Sequence, residues 1–338
     1  TVRVNDFDDL DTIEPSKRWQ FGDVVYVDND YTTNGGLWKI YQKSTVSNAY
    51  TYKPDDVFDE VITASAEFGK KLAVSSDGLY LAVGAPGDNQ LHVYRRPDTA
   101  SSFALRNTID HTQNNDDDDD AFGTDVAMTK DGKRVFVGAP FTSDVVKLTV
   151  SATPENFTRT TVLTGGTSTA TGTVLYNDAN ADVIYVKMTS TADFVGSESL
   201  GTADSSSLVT VTKVQGSNGV NQGVVHVMKA DTSFQFGLNQ IITAPDVGTG
   251  EKFGSAIASS DDGTFLVIGA PGGPNDSSLL NQGTVYVYKY EADGSSAVYT
   301  LWQTLTPNNR EIGEKYGEAL SISGDGNTII VGAPEHTD

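Results

Sequence analysis

The densest charge in this chain is the run Asn114-Asn115-Asp116-Asp117-Asp118-Asp119-Asp120. Carboxylates packed this closely can capture a cation or offer a docking surface. Capture needs oxygens fixed in a converging geometry, and nothing in the run fixes one. Blocks of like charge ordinarily stay solvated, so a loop between strands is expected. The histidines stand at 92, 111, 226 and 336. No Gly-x-Ser-x-Gly, no His-Glu-x-x-His and no phosphate loop ending in Gly-Lys-Ser/Thr is present. Gly248-Thr249-Gly250-Glu251-Lys252-Phe253-Gly254 approaches a dinucleotide loop, but its last Gly falls one residue late and no βαβ context surrounds it. Counting alone leaves a carboxylate pair for glycoside hydrolysis open. The expectation is a chain with no catalytic residues and no cofactor.

The elements that would position any site are repetitive. Phe68-Gly69 leads through Asp77-Gly78 to Gly84-Ala85-Pro86, and Phe122-Gly123 through Asp131-Gly132 to Gly138-Ala139-Pro140. Phe253-Gly254 leads through Asp262-Gly263 to Gly269-Ala270-Pro271, and Tyr316-Gly317 through Asp325-Gly326 to Gly332-Ala333-Pro334. Asp-Gly between alternating apolar runs marks a hairpin, because Gly accepts positive φ without steric cost. Ala-Pro ends the second strand, since Pro has no N–H for a ladder. Third strands follow, such as Leu91-His92-Val93-Tyr94, Gly223-Val224-Val225-His226-Val227-Met228 and Gly283-Thr284-Val285-Tyr286-Val287-Tyr288. His92 and His226 stand there where Tyr286 stands in the third copy, which makes them structural positions. Fourth strands are read at Leu238-Asn239-Gln240-Ile241-Ile242-Thr243 and Leu301-Trp302-Gln303-Thr304-Leu305-Thr306. Four short strands per unit, repeated radially, predict a β-propeller. The leading aromatic is expected to wedge between neighbouring sheets, with its Gly allowing close backbone approach.

The Phe-Gly…Gly-Ala-Pro pattern, followed by Gly-x-Val-x-Val-Tyr, resembles the FG-GAP repeat of integrin α-subunit propellers over most of residues 60–140 and 223–334. Some repeats of that family carry an Asp-x-Asp-x-Asp-Gly loop that binds calcium, so the resemblance raises that ion. The matching turns here are Ser75-Ser76-Asp77-Gly78, Thr129-Lys130-Asp131-Gly132, Ser260-Asp261-Asp262-Gly263 and Ser323-Gly324-Asp325-Gly326. Each offers one or two carboxylates, and Lys130 stands where a ligand would be needed. The turns are therefore expected to serve as hairpins, and no metal residue is carried over.

The copies begin at 68, 122, 253 and 316, and the long gap marks an interruption. Phe141 to Gln222 separates Pro140 from the third strand of its unit, against Gly87 to Gln90 in the first copy. This segment is rich in Thr, Ser and Gly. It holds alternating runs at Val145–Val150, Gly172–Tyr176, Val183–Met188 and Leu208–Thr212. Such spacing predicts a small β-barrel or β-sandwich. A competing reading takes Phe194-Val195-Gly196 as a degraded fifth repeat, but it has no Asp-Gly turn and no Gly-Ala-Pro. The expected organisation is propeller at 1–143, inserted β-domain at 144–222 and propeller again at 223–338. Residues 170–202 are also similar to small β-modules of tailed-phage virion proteins, notably of cyanophages. Trp19–Tyr26 and Gly35–Tyr41 read as pieces of a further unit. Either residues 1–43 complete the last blade or more polypeptide lies beyond both ends; the second is favoured, because an open ring leaves bare sheet edges.

Lys+Arg 23 against Asp+Glu 45 gives a net charge of −22. That surface repels nucleic acid and anionic membranes, so neither partner is expected. No 18-residue apolar run is present, and membrane insertion is not expected. Cysteine is absent, so no disulfide staples the fold. The fold class is all-β: an FG-GAP-type propeller, whole or partial, with an inserted small barrel or sandwich. The expected function is that of a non-enzymatic virion component of tail, baseplate or fibre, serving assembly or host attachment. The alternative is a secreted or cell-surface adhesin binding protein or glycan. Partners would be other structural proteins or a host-surface protein or glycan, and an oligomeric assembly is left open. The candidate surfaces are the long loops 103–121, 141–222 and 272–282.

Overall fold

The computed structural model describes the strands at 2–4, 24–27, 38–43 and 50–52, then residues 66–111, 120–151, 157–158, 161–178, 182–203, 205–215, 221–245, 249–273, 281–293, 296–307 and 312–336. The described residues are almost entirely β. The first sheet holds β1 (Val2–Val4), β2 (Val24–Val27), β3 (Trp38–Lys43) and β4 (Tyr50–Tyr52), with β1 parallel to β2. The segments at Trp19–Tyr26 and Gly35–Tyr41 contribute β2 and β3 to this sheet.

Three four-stranded antiparallel blades follow the repeat. The first blade is β5 (Lys71–Val74), β6 (Tyr80–Ala85), β7 (Gln90–Arg95) and β8 (Ala104–Asp110). The second blade begins with β9 (Val126–Met128) and β10 (Arg134–Ala139), and ends with β17 (Val224–Ala230) and β18 (Phe236–Thr243). Between β10 and β17 the chain makes β11 (Val145–Val150), β12 (Val162–Gly165), β13 (Thr171–Asp178), β14 (Val183–Met188), β15 (Ser199–Thr202) and β16 (Ser205–Gln215). These close into a barrel in the order β11-β14-β13-β12-β15-β16. The third blade is β19 (Ala256–Ser259), β20 (Phe265–Ala270), β21 (Thr284–Asp293) and β22 (Ser296–Leu305). The fourth copy gives the hairpin β23 (Ala319–Ile322) and β24 (Ile329–Gly332).

The blades stack through their repeat glycines. A Cβ on Gly84 would lie 2.1 Å from the carbonyl oxygen of Gly123, one on Gly138 2.0 Å from that of Gly254, and one on Gly269 2.1 Å from that of Gly317. The Gly of the first three Gly-Ala-Pro copies thus meets the Gly that follows the next copy's leading aromatic, backbone on backbone. The aromatics fill the space beside these contacts. Phe122 packs with Leu91 and Val93 of the first blade and with Val137 and Val224 of its own. Phe253 packs with Phe136, Val225 and Val227 of the second blade and with Ile268 and Tyr286 of the third. The wedge role expected of these rings is what the packing shows.

The barrel has its own core, built from the inward residues of its alternating strands. Val146 and Leu148, Ile184 and Val186, and Val209 and Val211 share it with Phe194. Phe194 is therefore a barrel residue and does not open a propeller unit. Glu198 ties the barrel's turn at 166–169. Its carboxylate accepts from the N–H of Ser168 at 2.9 Å, the N–H of Val195 at 2.6 Å and the Ser168 hydroxyl at 2.8 Å. Burial opposes the charge, but these bonds outweigh it and hold the carboxyl below its usual range.

Gly138→Ala is expected to cost about 3 kcal/mol or more, because backbone cannot yield as a side chain can. Gly237→Ala, where an added Cβ meets nothing within 4 Å, is expected to stay within about 0.5 kcal/mol of the parent. Urea unfolding of the two variants checks the contrast.

Candidate functional site

Each Asp-Gly turn uses its carboxylate internally. The Asp77 carboxylate accepts from the Ser75 hydroxyl at 2.6 Å and the Leu79 N–H at 2.9 Å. Asp131 accepts from the Thr129 hydroxyl and the Lys133 N–H, Asp262 from Ser260 and Thr264, and Asp325 from Ser323 and Asn327. The glycines at 78, 132, 263 and 326 all have φ near +70°. Successive turns are also chained together. The Ser76 N–H donates to the Lys130 carbonyl, the Lys130 N–H to Asp261, and the Asp261 N–H to Gly324, all within 3.0 Å. Lys130 pairs through its ammonium with Asp261 at 3.0 Å. The turn carboxylates are thus anchors of hairpin and ring. Among the described residues no group of three or more His, Asp or Glu side chains could hold a metal ion.

The acidic run is divided. Its residues 114–119 lie outside the described residues, but Asp120 is 2% exposed and does not fit a solvated loop. The Asp120 carboxylate meets His111 Nδ1 at 3.2 Å. The His111 ring stacks on Phe122 at 5.1 Å between centroids and faces the edge of His226 at 4.8 Å. Asp120 falls two residues before Phe122, the place Glu251 and Glu314 hold before Phe253 and Tyr316; both are 1% exposed. Glu314 meets His336 Nδ1 at 3.0 Å. This carboxylate recurs in three of the four copies, with Ala66 at its place in the first, and its two-residue lead over the aromatic is the signal that sequence reasoning passed over. His92 and His226 occupy equivalent register, opposite Val83 and Val137, as Tyr286 lies opposite Ile268. The near-dinucleotide segment supplies Glu251 and the Phe253 wedge.

Asp125, at 6% exposure, links three blades. Its oxygens accept from the Ile257 N–H of the third blade at 2.7 Å and from its own neighbour Val126 at 2.9 Å. Lys71 of the first blade approaches at 3.3 Å. Burial pushes its pKa up; the Lys71 charge and the donated bonds oppose that rise.

The surface best built for a partner lies where the barrel meets the blades. The chain enters and leaves the barrel through a zipped neck. The Gly223 N–H donates to the Thr142 carbonyl at 3.0 Å, the Asn221 N–H to the Ser143 hydroxyl at 3.0 Å, and the Val145 N–H to the Gln222 side-chain oxygen at 3.2 Å. On the barrel's outer face one cross-strand row reads Gln215, Lys147, Tyr185, Tyr176. The Tyr176 hydroxyl donates to the Asn239 carbonyl of β18. Leu175, Val183 and Tyr185 join the buried cluster of Met228, Phe236 and Ile241. Beside this seam opens a cleft of about 270 Å³, walled by Gln215, Lys147 and Tyr185 on one side and by Tyr299, Thr300 and Leu301 on the other. The Gln240 side chain bridges the blades below it. Its amide donates to the Tyr299 carbonyl at 2.9 Å, and its oxygen accepts the Tyr299 N–H at 2.8 Å. Burial pushes the Tyr299 phenol well above its usual range, so it stays neutral and donates to the Gly263 carbonyl.

Residues 236–288 match the model of the FG-GAP repeat. That span is similar to an FG-GAP repeat. The matched span runs from β18 through the Phe253 wedge and the Asp262-Gly263 turn to β21, so it takes in the junction between the second and third blades. No curated protein matches the chain. Among solved structures, it is similar to the periplasmic gluconolactonase of Pseudomonas aeruginosa at 14% identity, covering 89% of this chain and 71% of that one, with a TM-score of 0.35. A putative 6-phosphogluconolactonase from Bacteroides uniformis gives 13% identity, 91% and 87% coverage and a TM-score of 0.30. The Dos1 propeller gives 12%, 88% and 57%, and 0.30. At these scores none of the likenesses carries an argument about activity or ligand.

Bonds to their carboxylates hold Asp131, Asp262 and Asp325 below the usual range: for Asp262 chiefly those from Thr264, for Asp325 chiefly that from Ser323, and for Asp131 those from Thr129 and Lys133 against opposing burial. A depressed carboxyl contributes stability above its unfolded pKa, about 3.9 for Asp, and loses it as pH falls through the folded value. The melting temperature is expected to drop steeply below about pH 4. Calorimetry of Asp262→Ala across the same range should show a shallower drop.

Proposed function

We propose that the chain is a non-enzymatic interaction protein in which the FG-GAP propeller is a rigid platform and the barrel presents a binding surface. The observation that carries this reading is how the barrel is mounted. β10 pairs directly with β17 from Arg134↔Lys229 to Ala139↔Val224, so the blade is continuous beneath the insertion. The zipped neck and the Tyr176 bond then fix the barrel's orientation. Rigid mounting of a second module suits presentation, since an ordered surface does not lose entropy again on binding. The turn carboxylates and the acid–histidine pairs have structural work in holding strands and blades together, which supports the non-enzymatic side of the reading.

Within this class we place the protein in a virion, as a tail, baseplate or fibre component used in assembly or host attachment. The resemblance of residues 170–202 to tailed-phage modules motivates that placement. A secreted or cell-surface adhesin would use the same surface. Mass spectrometry of purified virions is expected to find this chain; its recovery only from a cell surface or secreted fraction would favour the adhesin.

Replacing residues 141–222 by Gly-Asp-Asn-Gln, the link of the first copy, is expected to leave a folded propeller with β-type circular dichroism. That variant should lose attachment to cells that the parent binds. Undiminished attachment would place the binding surface on the propeller instead.

A further inference from the structure

Asp125 stands where the repeat does not call for an acid. Its position, three residues after the leading aromatic, holds Lys71 in the first copy, Ala256 in the third and Ala319 in the fourth. The repeat therefore folds without a carboxylate there. In the second blade this side chain reaches the inner strands on both sides. Oδ2 accepts the Ile257 N–H of β19 at 2.7 Å. Oδ1 accepts the Val126 N–H at 2.9 Å and faces the Lys71 ammonium of β5 at 3.3 Å. The Asp125 side chain is 8% exposed and that of Lys71 is 54% exposed. A buried charge matched by one solvated cation is poorly compensated, because water screens the attraction and does not relieve the burial. Of the strands packed around it, β9 and β19 carry no ionisable side chain, and β5 carries Lys71 alone. β6 and β10 carry Tyr80 and Arg134 at their far ends. In the adjoining loops Lys70 pairs with Glu67, Asp120 meets His111 and Lys252 lies over the Phe141 ring.

The two oxygens differ in what a proton does to them. On Oδ2 it would displace the Ile257 bond and leave that N–H without an acceptor. On Oδ1 it sets an O–H before the Lys71 ammonium, and two donors cannot bond each other. Oδ1 therefore takes the proton from solvent, and Lys71 turns into water. Oδ2 remains as the carbonyl oxygen that accepts from Ile257, and the new hydroxyl oxygen keeps a lone pair for the Val126 N–H. Burial raises this carboxyl above the ordinary Asp value, against the Lys71 charge and the donated bonds. A carboxyl raised in the fold costs stability at neutral pH, and the cost is relieved as pH falls through the folded value. The sign is opposite to that of the turn carboxylates.

We propose that Asp125 is a proton-operated brace between the inner strands. Ionised, it ties three blades together; in mild acid it becomes a neutral acid that releases Lys71 of the first blade and keeps Ile257 of the third. The joint between β5 and β9 then rests on the Gly84–Gly123 contact, the Phe122 wedge and the Ser76–Lys130 bond. The test is a carboxyl-carbon NMR titration of the full chain. The Asp125 midpoint is expected above the ordinary Asp value of about 3.9, and Lys71→Met should raise it further. The Ile257 amide should stay protected from hydrogen exchange through the titration. The melting temperature of Asp125→Asn minus that of the parent should fall by about 2 °C or more between about pH 8 and about pH 4. Taking the difference cancels the titration of the turns, which both chains share. A midpoint at or below about 3.9, or one that Lys71→Met leaves in place, overturns the proposal. So does a melting difference that stays flat or rises toward acid, or loss of Ile257 protection at the midpoint. The titrations of the parent and of Lys71→Met decide the matter even where Asp125→Asn fails to fold.

Discussion

Backbone meeting backbone at paired glycines is the constraint on which the rest of the structure depends. At three successive junctions the two strands approach so closely that a single methyl group would fall about 2 Å from a carbonyl oxygen. No side chain can mediate such a contact, and only Gly satisfies it. Once the separation is set, everything nearby follows. The leading aromatic has a slot of fixed width, the Asp-Gly turns come within hydrogen-bond reach of one another, and Asp125 can touch the first and third blades from the second.

The same constraint explains why a whole barrel is tolerated within a blade. The ladder from β10 to β17 is as long as those from β6 to β7 and from β20 to β21, at six residue pairs each. The insertion leaves after Pro140 and returns at Gly223, at the end of the blade where chain enters and exits side by side. Barrel closure removes its own sheet edges, so the unit adds surface without adding a bare strand. What it does add is a seam. There, outward residues of β11, β14 and β16 face the outer strands of two blades, and neither partner contributes a charged side chain except Lys147 among the described lining.

Carboxylates in this chain divide by burial into two working groups. Those of the turns are anchored by local hydroxyl and N–H donors, which favour the ionised form of Asp131, Asp262 and Asp325. Those that lead Phe122, Phe253 and Tyr316 by two residues are buried, and the first and last of these three meet a histidine. Both sets consume charge that a motif search would otherwise count as catalytic or metal-binding capacity.

The repeat, the hairpin turns, the strand order within each blade and the place of the insertion were legible in the sequence. They depend on local chemistry: positive φ at Asp-Gly, the missing N–H at Ala-Pro and period-two alternation. The burial of Asp120 was not legible, because its five-residue acidic run reads as solvated until the next blade closes over its last member. Phe194 likewise reads as a repeat opener until the barrel core takes it. The row Gln215, Lys147, Tyr185, Tyr176 spans residues 39 apart between Tyr176 and Gln215, and no linear pattern joins them. Their meeting was decided by barrel register, and their facing Thr300 and Leu301 by the packing of barrel on blade. Sequence determined the repeating unit because its forces act within a few residues; tertiary structure alone decided the seam because its forces act between elements that share no local signal.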